Sequence, residues 1–88
     1  MLIEKKVIIK NKAGLHARPA ALFVQIANKY NSEISVSKGK ETVNGKSIMG
    51  IMMLAAGKKS RVIIRAQGKD AEKAVLELEN LLLGKFEG

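Results

Sequence analysis

RVIIRAQGKDAEKAVLELENLLLG, residues 61–84, carries two hydrophobic periods in succession. Val62, Ile64 and Ala66 alternate with Arg61, Ile63 and Arg65, the period of a strand with one buried face. Beyond Gly68, the residues Ala71, Ala74, Val75, Leu78, Leu81 and Leu82 recur at spacings of three and four, the apolar stripe of a helix. Asp70 stands where a helix N-cap belongs, and Gly84 where a helix stops. A strand and a helix that each have one apolar face must bury those faces against other elements, which predicts a sheet covered by helices on one side.

The rest of the chain supplies those elements. Ile3, Val7 and Ile9 share one face of an alternating segment that breaks at Asn11, Lys12, Ala13 and Gly14, predicting a strand and then a loop. From Ala17 to Tyr30, an apolar stripe of Ala20, Phe23, Ala27 and Tyr30, flanked by Leu22 and Ile26, predicts a helix ended by Asn31. Pro19 falls in its first turn, where the backbone N–H it lacks has no partner inside the helix anyway. Ile34 and Val36 mark a second strand, Thr42 and Val43 a short third one closed by Asn44-Gly45. Ser47 then precedes IMGIMML, read as a short helix with Ser47 as N-cap. The order is β-α-β-β-α-β-α: an α+β fold with a four-stranded antiparallel sheet and three helices on one face. Lys6, Ile8, Ser35, Ser37 and Arg65 should lie half-buried on the other.

Composition narrows the function. Eighty-eight residues, buying a core that removes about 60–65% of the unfolded surface from water, leave no room for a two-domain enzyme, so residues 1–88 are expected to form one domain. With no cysteine, a disulfide framework, a thiolate zinc site and a thiol nucleophile are excluded, and a reducing compartment fits. Glu4, Lys5 and Lys6 interrupt what would be the apolar region of a secretory signal. The longest charge-free apolar stretch, Ile48 to Gly57, falls well short of the ~20 residues of a membrane span. The cytoplasm is therefore the expected location. Sixteen Lys+Arg against eight Asp+Glu give a net charge of +8, which implies an acidic partner without naming it.

The chemistry is concentrated in Gly14-Leu15-His16-Ala17-Arg18-Pro19-Ala20. His16, the only histidine, falls at a loop-to-helix junction, where the unpaired N–H groups of Ala17 and Arg18 and the positive end of the helix dipole make an anion site. A phosphoryl group on a ring nitrogen requires such donors and a cation, and Arg18 supplies the cation. Imidazole is both a good nucleophile near neutral pH and a good leaving group from phosphorus, so the group can be taken up and released with no metal and no cofactor. The plain alternative for a lone histidine before a helix is a surface or capping residue.

GLHARPA after a first strand resembles the active-site segment of HPr, the histidine-containing phosphocarrier family of the phosphoenolpyruvate-dependent sugar phosphotransferase system. NGKSIMGIMML, Asn44 to Leu54, resembles that family's second segment, and the likeness extends over essentially the whole chain. The resemblance implies the family's open-faced β-sandwich. It implies a carrier and not an enzyme, in which His16 is phosphorylated on Nδ1 by Enzyme I and passes the group to EIIA domains while Arg18 steadies it. It further implies regulatory phosphorylation of Ser47 by an HPr kinase/phosphorylase and a monomeric protein. Ile48, Met49, Met52 and Met53 would form the surface that docks Enzyme I, although a methionine-rich short helix suits a core equally well.

Two other readings compete. Gly45-Lys46-Ser47 invites a nucleotide loop, but that loop needs a glycine where Lys40 stands. A small basic nucleic-acid-binding domain would account for the charge, yet Phe23 and Tyr30 fall on a helical core stripe and Phe86 near the C-terminus, leaving no stacking platform. No nucleic acid and no membrane is therefore expected as partner. A purely regulatory relative acting through Ser47 alone would not need His16 with Arg18. Lys58, Lys59 and Arg61 read as a solvated loop.

Overall fold

The structure, a computed structural model, describes residues 1–85; Phe86 lies outside the described residues. Its elements are β1 (Leu2–Ile8), α1 (Ala17–Asn28), β2 (Glu33–Lys38), β3 (Glu41–Asn44), α2 (Ile48–Met53), β4 (Arg61–Gln67) and α3 (Ala71–Leu82), the order expected from the sequence. The strands form one antiparallel sheet in the order β1-β4-β2-β3. Along β4, Val62, Ile64 and Ala66 are buried and the residues between them are exposed or half-buried, as the period of two requires. Register sets like faces side by side across the sheet: Val7 faces Val62 and Val36 faces Ile64 in the core, while Lys5, also opposite Ile64, is exposed and reaches Glu79 of α3. Ile9, past the end of β1, remains buried and prolongs the pairing, its amide donating to Ser60 and its carbonyl accepting from Lys59.

The helices cover one face. Phe23, Ile26 and Ala27 of α1, Ile51 of α2 and all six expected residues of α3 join the strand residues in one core. The stop of α3 is a Schellman arrangement: Gly84, at φ +82°, donates to Leu81, and Lys85 donates to Asn80. Ser47 caps α2, its Oγ accepting from the Gly50 amide at 3.0 Å.

Three local expectations are corrected. The first helix ends at Asn28 rather than running to Tyr30, because Lys29 and Tyr30 donate to Ile26 and Ala27 in a tightened last turn. Tyr30 is half-buried and its hydroxyl donates to Glu77 of α3. Asp70 precedes α3 but its side chain does not cap it. Its carboxylate accepts instead from the amides of Asn31 and Ser32 (2.9 and 3.0 Å) and from the Ser32 hydroxyl, tying the α1–β2 turn to the start of α3. These bonds, the Ser32 hydroxyl foremost, hold the Asp70 carboxyl below its ordinary pKa. On the open face, Ser35 and Arg65 are half-buried as expected; Lys6 and Ile8 are exposed, while Ser37 is buried against Thr42 and Arg65.

Candidate functional site

The loop before α1 is fastened from below. The Gly14 amide donates to the Asn11 carbonyl (3.2 Å), while Asn11 Nδ2 donates back to the Gly14 carbonyl (2.7 Å) from a buried position. Asn11 also donates its own amide to Leu82, so the turn is anchored on the end of α3. Gly14 then lies flat against the loop after α2, where a Cβ would come within 2.6 Å of the Ala56 carbonyl oxygen and of Gly57 Cα. The adjacent Leu15 is fully buried and its amide donates to the same Ala56 carbonyl at 2.7 Å. These residues fix the chain up to the point where it emerges as His16.

His16 is exposed, with extended backbone (φ −117°, ψ 153°), in the N-cap position of α1. Its side chain makes no capping bond, so the ring is not consumed in holding the helix. The turn into the helix falls on Ala17, whose φ of +46° lies in the left-handed region. For alanine that conformation costs about 1–2 kcal/mol, and it is held by the anchoring of Gly14 and Leu15 on one side and of Ala20 and Phe23 in the core on the other. Arg18 is exposed and pairs with no carboxylate among the described residues. A solvent-facing imidazole, a free guanidinium and a helix start that lacks an acidic residue in its first turn thus share one corner.

Ser47 is not in that corner. It follows β3 at the end of the sheet where Asn44 pairs with Ser35, whereas His16 follows the opposite end, beyond Ile8. The helix it caps runs back toward Leu15, and Ile48, Met49, Met52 and Met53 are 40, 70, 46 and 72% exposed. Their partner Ile51 and the following Leu54 fill the core. The choice left open by sequence, core or surface, is therefore surface for all four.

The sequence reading missed two features. In the sequence Asn11 reads only as a strand breaker, because a buried asparagine bonded within a turn has no periodic signature. The distribution of charge was also hidden. Lys10 and Lys12 after β1, Lys38 and Lys40 at the β2–β3 turn, Lys58 and Lys59 before β4, Arg61 at its start, and Lys85 after α3 all gather at the end of the sheet that carries His16 and Arg18. Among the described residues, Glu41 is the acid at that end. At the other end Lys29 meets Glu77, and Lys69 and Lys73 stand beside Asp70 and Glu72.

Residues 3–83 match the family model described as the PTS HPr component phosphorylation site. The chain belongs to the HPr family. Phosphocarrier protein HPr of Treponema pallidum is 43% identical over 86 residues, covering 98% of each chain. The HPr-like protein Crh of Halalkalibacterium halodurans is 50% identical over 74 residues, 84% of this chain and 88% of that one. Among solved structures, HPr-C-His from Thermoanaerobacter tengcongensis superposes with a TM-score of 0.92 at 50% identity, covering 98% of this chain and 97% of the other. HPr from that organism has also been solved as a dimer (TM-score 0.77, 51% identity, 93% and 94% covered), so the monomeric state expected from the sequence is not general among HPr proteins.

Proposed function

We propose that this protein carries a phosphoryl group on His16 between the proteins of the sugar phosphotransferase system, taking it from phosphorylated Enzyme I and delivering it to EIIA domains. The observation that carries the reading is the exposed His16 ring at the start of α1, free of any capping bond, beside an Arg18 that pairs with no carboxylate among the described residues. Nδ1 of His16 attacks the phosphorus; the bond from phosphorus to the donor's nitrogen breaks as the new N–P bond forms, and the donor leaves with the electron pair. The arriving dianion is met by the Arg18 guanidinium and by the Ala17 and Arg18 amides. Delivery to EIIA repeats the exchange with His16 as leaving group, so the protein is a carrier and releases no free product. An absent acidic residue in the first turn of α1 favours the loaded state.

Ser47 is the proposed regulatory site, open to an HPr kinase/phosphorylase because it is half-buried rather than enclosed. A phosphate on its Oγ would sit at a helix start, where negative charge is tolerated, and beside Ile48, Met49, Met52 and Met53, the proposed apolar docking surface for Enzyme I. Regulation would therefore act on docking, with the fold retained. The lack, among the described residues, of a helix able to cross a membrane accords with work in the cytoplasm. Similarity to Crh, described in Bacillus subtilis as the catabolite repression HPr, favours a second reading as a regulatory protein acting through Ser47 alone, and His16 beside Arg18 weighs against it.

Incubation with Enzyme I and phosphoenolpyruvate should produce an acid-labile phosphate that is absent from His16→Ala; a label that survives that substitution would overturn the reading. Ser47→Asp, which retains a capping oxygen, should slow transfer from Enzyme I while leaving the circular dichroism spectrum and melting curve intact. Equal rates would remove the regulatory role.

A further inference from the structure

The open face of the sheet holds a groove of about 530 Å³ that the carrier reading does not use, lined in part by Lys6, Ile8, Arg61 and Ile63. Strand register makes these four a tile. Lys6 stands opposite Ile63 and Ile8 opposite Arg61 on the adjacent strand, so the cations occupy one diagonal and the isoleucines the other. Such diagonal neighbours lie about 7–8 Å apart, within the reach of two long side chains. The cations are unspent: Arg65, one row along, is taken by Glu4 and Ser37, whereas Lys6 and Arg61 pair with no acid among the described residues. Ile8 is 47% exposed between them.

We propose that this groove docks a short acidic segment of a partner protein, with carboxylates on Lys6 and Arg61 and an aliphatic side chain between them on Ile8 and Ile63. Charge complementarity selects the occupant. The tile belongs to the end of the molecule where cations outnumber acids, so a second copy presenting this same end would be repelled. Nucleic acid would satisfy the cations but meets no aromatic ring among the described residues of the groove. A lipid surface would need apolar side chains that project, and here the isoleucines are flanked by longer cations. In an extended peptide successive side chains point to opposite faces, so a segment with acidic and aliphatic residues at every second position, Glu-x-Leu-x-Glu, presents both to the tile. The face lies across the sheet from α2, so a partner could hold it while the α2 face remains open.

The test is a titration of the isotope-labelled full chain with acetyl-Glu-Ser-Leu-Ser-Glu-amide, followed by amide shifts. Lys6, Ile8, Arg61 and Ile63 should move while Ile48 and Met49 do not. Lys6→Glu with Arg61→Glu should weaken binding at least about tenfold, and the exposed pair Lys6→Gln with Arg61→Gln provides a milder variant should the first fold poorly. His16→Ala should bind unchanged, which separates this site from the phosphocarrier role. Absence of shifts on the sheet face, or equal shifts with the Gln-Ser-Leu-Ser-Gln control, overturns the proposal. So does stronger binding at the same amides by oligouridylate, inorganic phosphate or phosphatidylglycerol vesicles.

Discussion

Gly14 governs the placement of His16 by having no side chain. At φ +62°, with the Ala56 carbonyl and Gly57 Cα where a Cβ would go, it allows two loops to touch backbone to backbone. Gly14→Ala should lower unfolding free energy by about 1–3 kcal/mol, measured by denaturant titration. Its neighbour supplies the control, because a Cβ at Gly57 meets nothing within 4 Å and Gly57→Ala should be close to neutral. Gly14→Ala should also slow phosphoryl uptake at temperatures where the variant is still folded, since the chain emerging at His16 would no longer be seated. GLHARPA could be read at this scale from sequence, but the partner surface that demands the glycine lies more than forty positions on and was invisible there.

At the scale of elements, α1 and α3 are bolted together by Glu77. Its carboxylate accepts from Lys29 at 2.8 Å and from the Tyr30 hydroxyl, and these bonds hold its own pKa below the ordinary value. The hydrogen bond to Glu77, reinforced by burial and the nearby negative charge, pushes Tyr30 up from 10.0 to about 12. A raised folded value means that this contribution to stability is complete below pH 10 and disappears as pH rises through about 12. In Glu77→Gln the tyrosinate absorbance, which reports the single tyrosine, should titrate nearer pH 10. An unchanged midpoint would show that burial alone sets it. Asp70 has the opposite sign: its depressed pKa makes its bonds to Asn31 and Ser32 stabilising above its ordinary 3.8, and that support is lost as pH falls through the folded value.

For the molecule as a whole, the excess of charge is concentrated at one end. Such a distribution orients the approach of an acidic partner and raises its association rate in a salt-dependent way. Lys58→Glu with Lys59→Glu, both exposed and away from the core, should raise KM for phosphorylation by Enzyme I several-fold with kcat and melting temperature little changed. The difference should shrink at high ionic strength. A loss of kcat instead would mean that these lysines act on the phosphoryl group and not on encounter.

Element order, the burial pattern of β4 and α3, the cap at Ser47 and the motif around His16 were decided by local sequence, because period, capping and turn chemistry act over a few neighbouring residues. What folding alone settled depends on residues distant in sequence. Asp70 abandoned its helix for the Ser32 turn, Tyr30 left the α1 stripe for Glu77, and the methionines of α2 turned outward because Ile51 and Leu54 had already filled the space beneath. The same cause hid the basic end of the molecule: its lysines are scattered through four separate segments, and antiparallel pairing brought them together around His16.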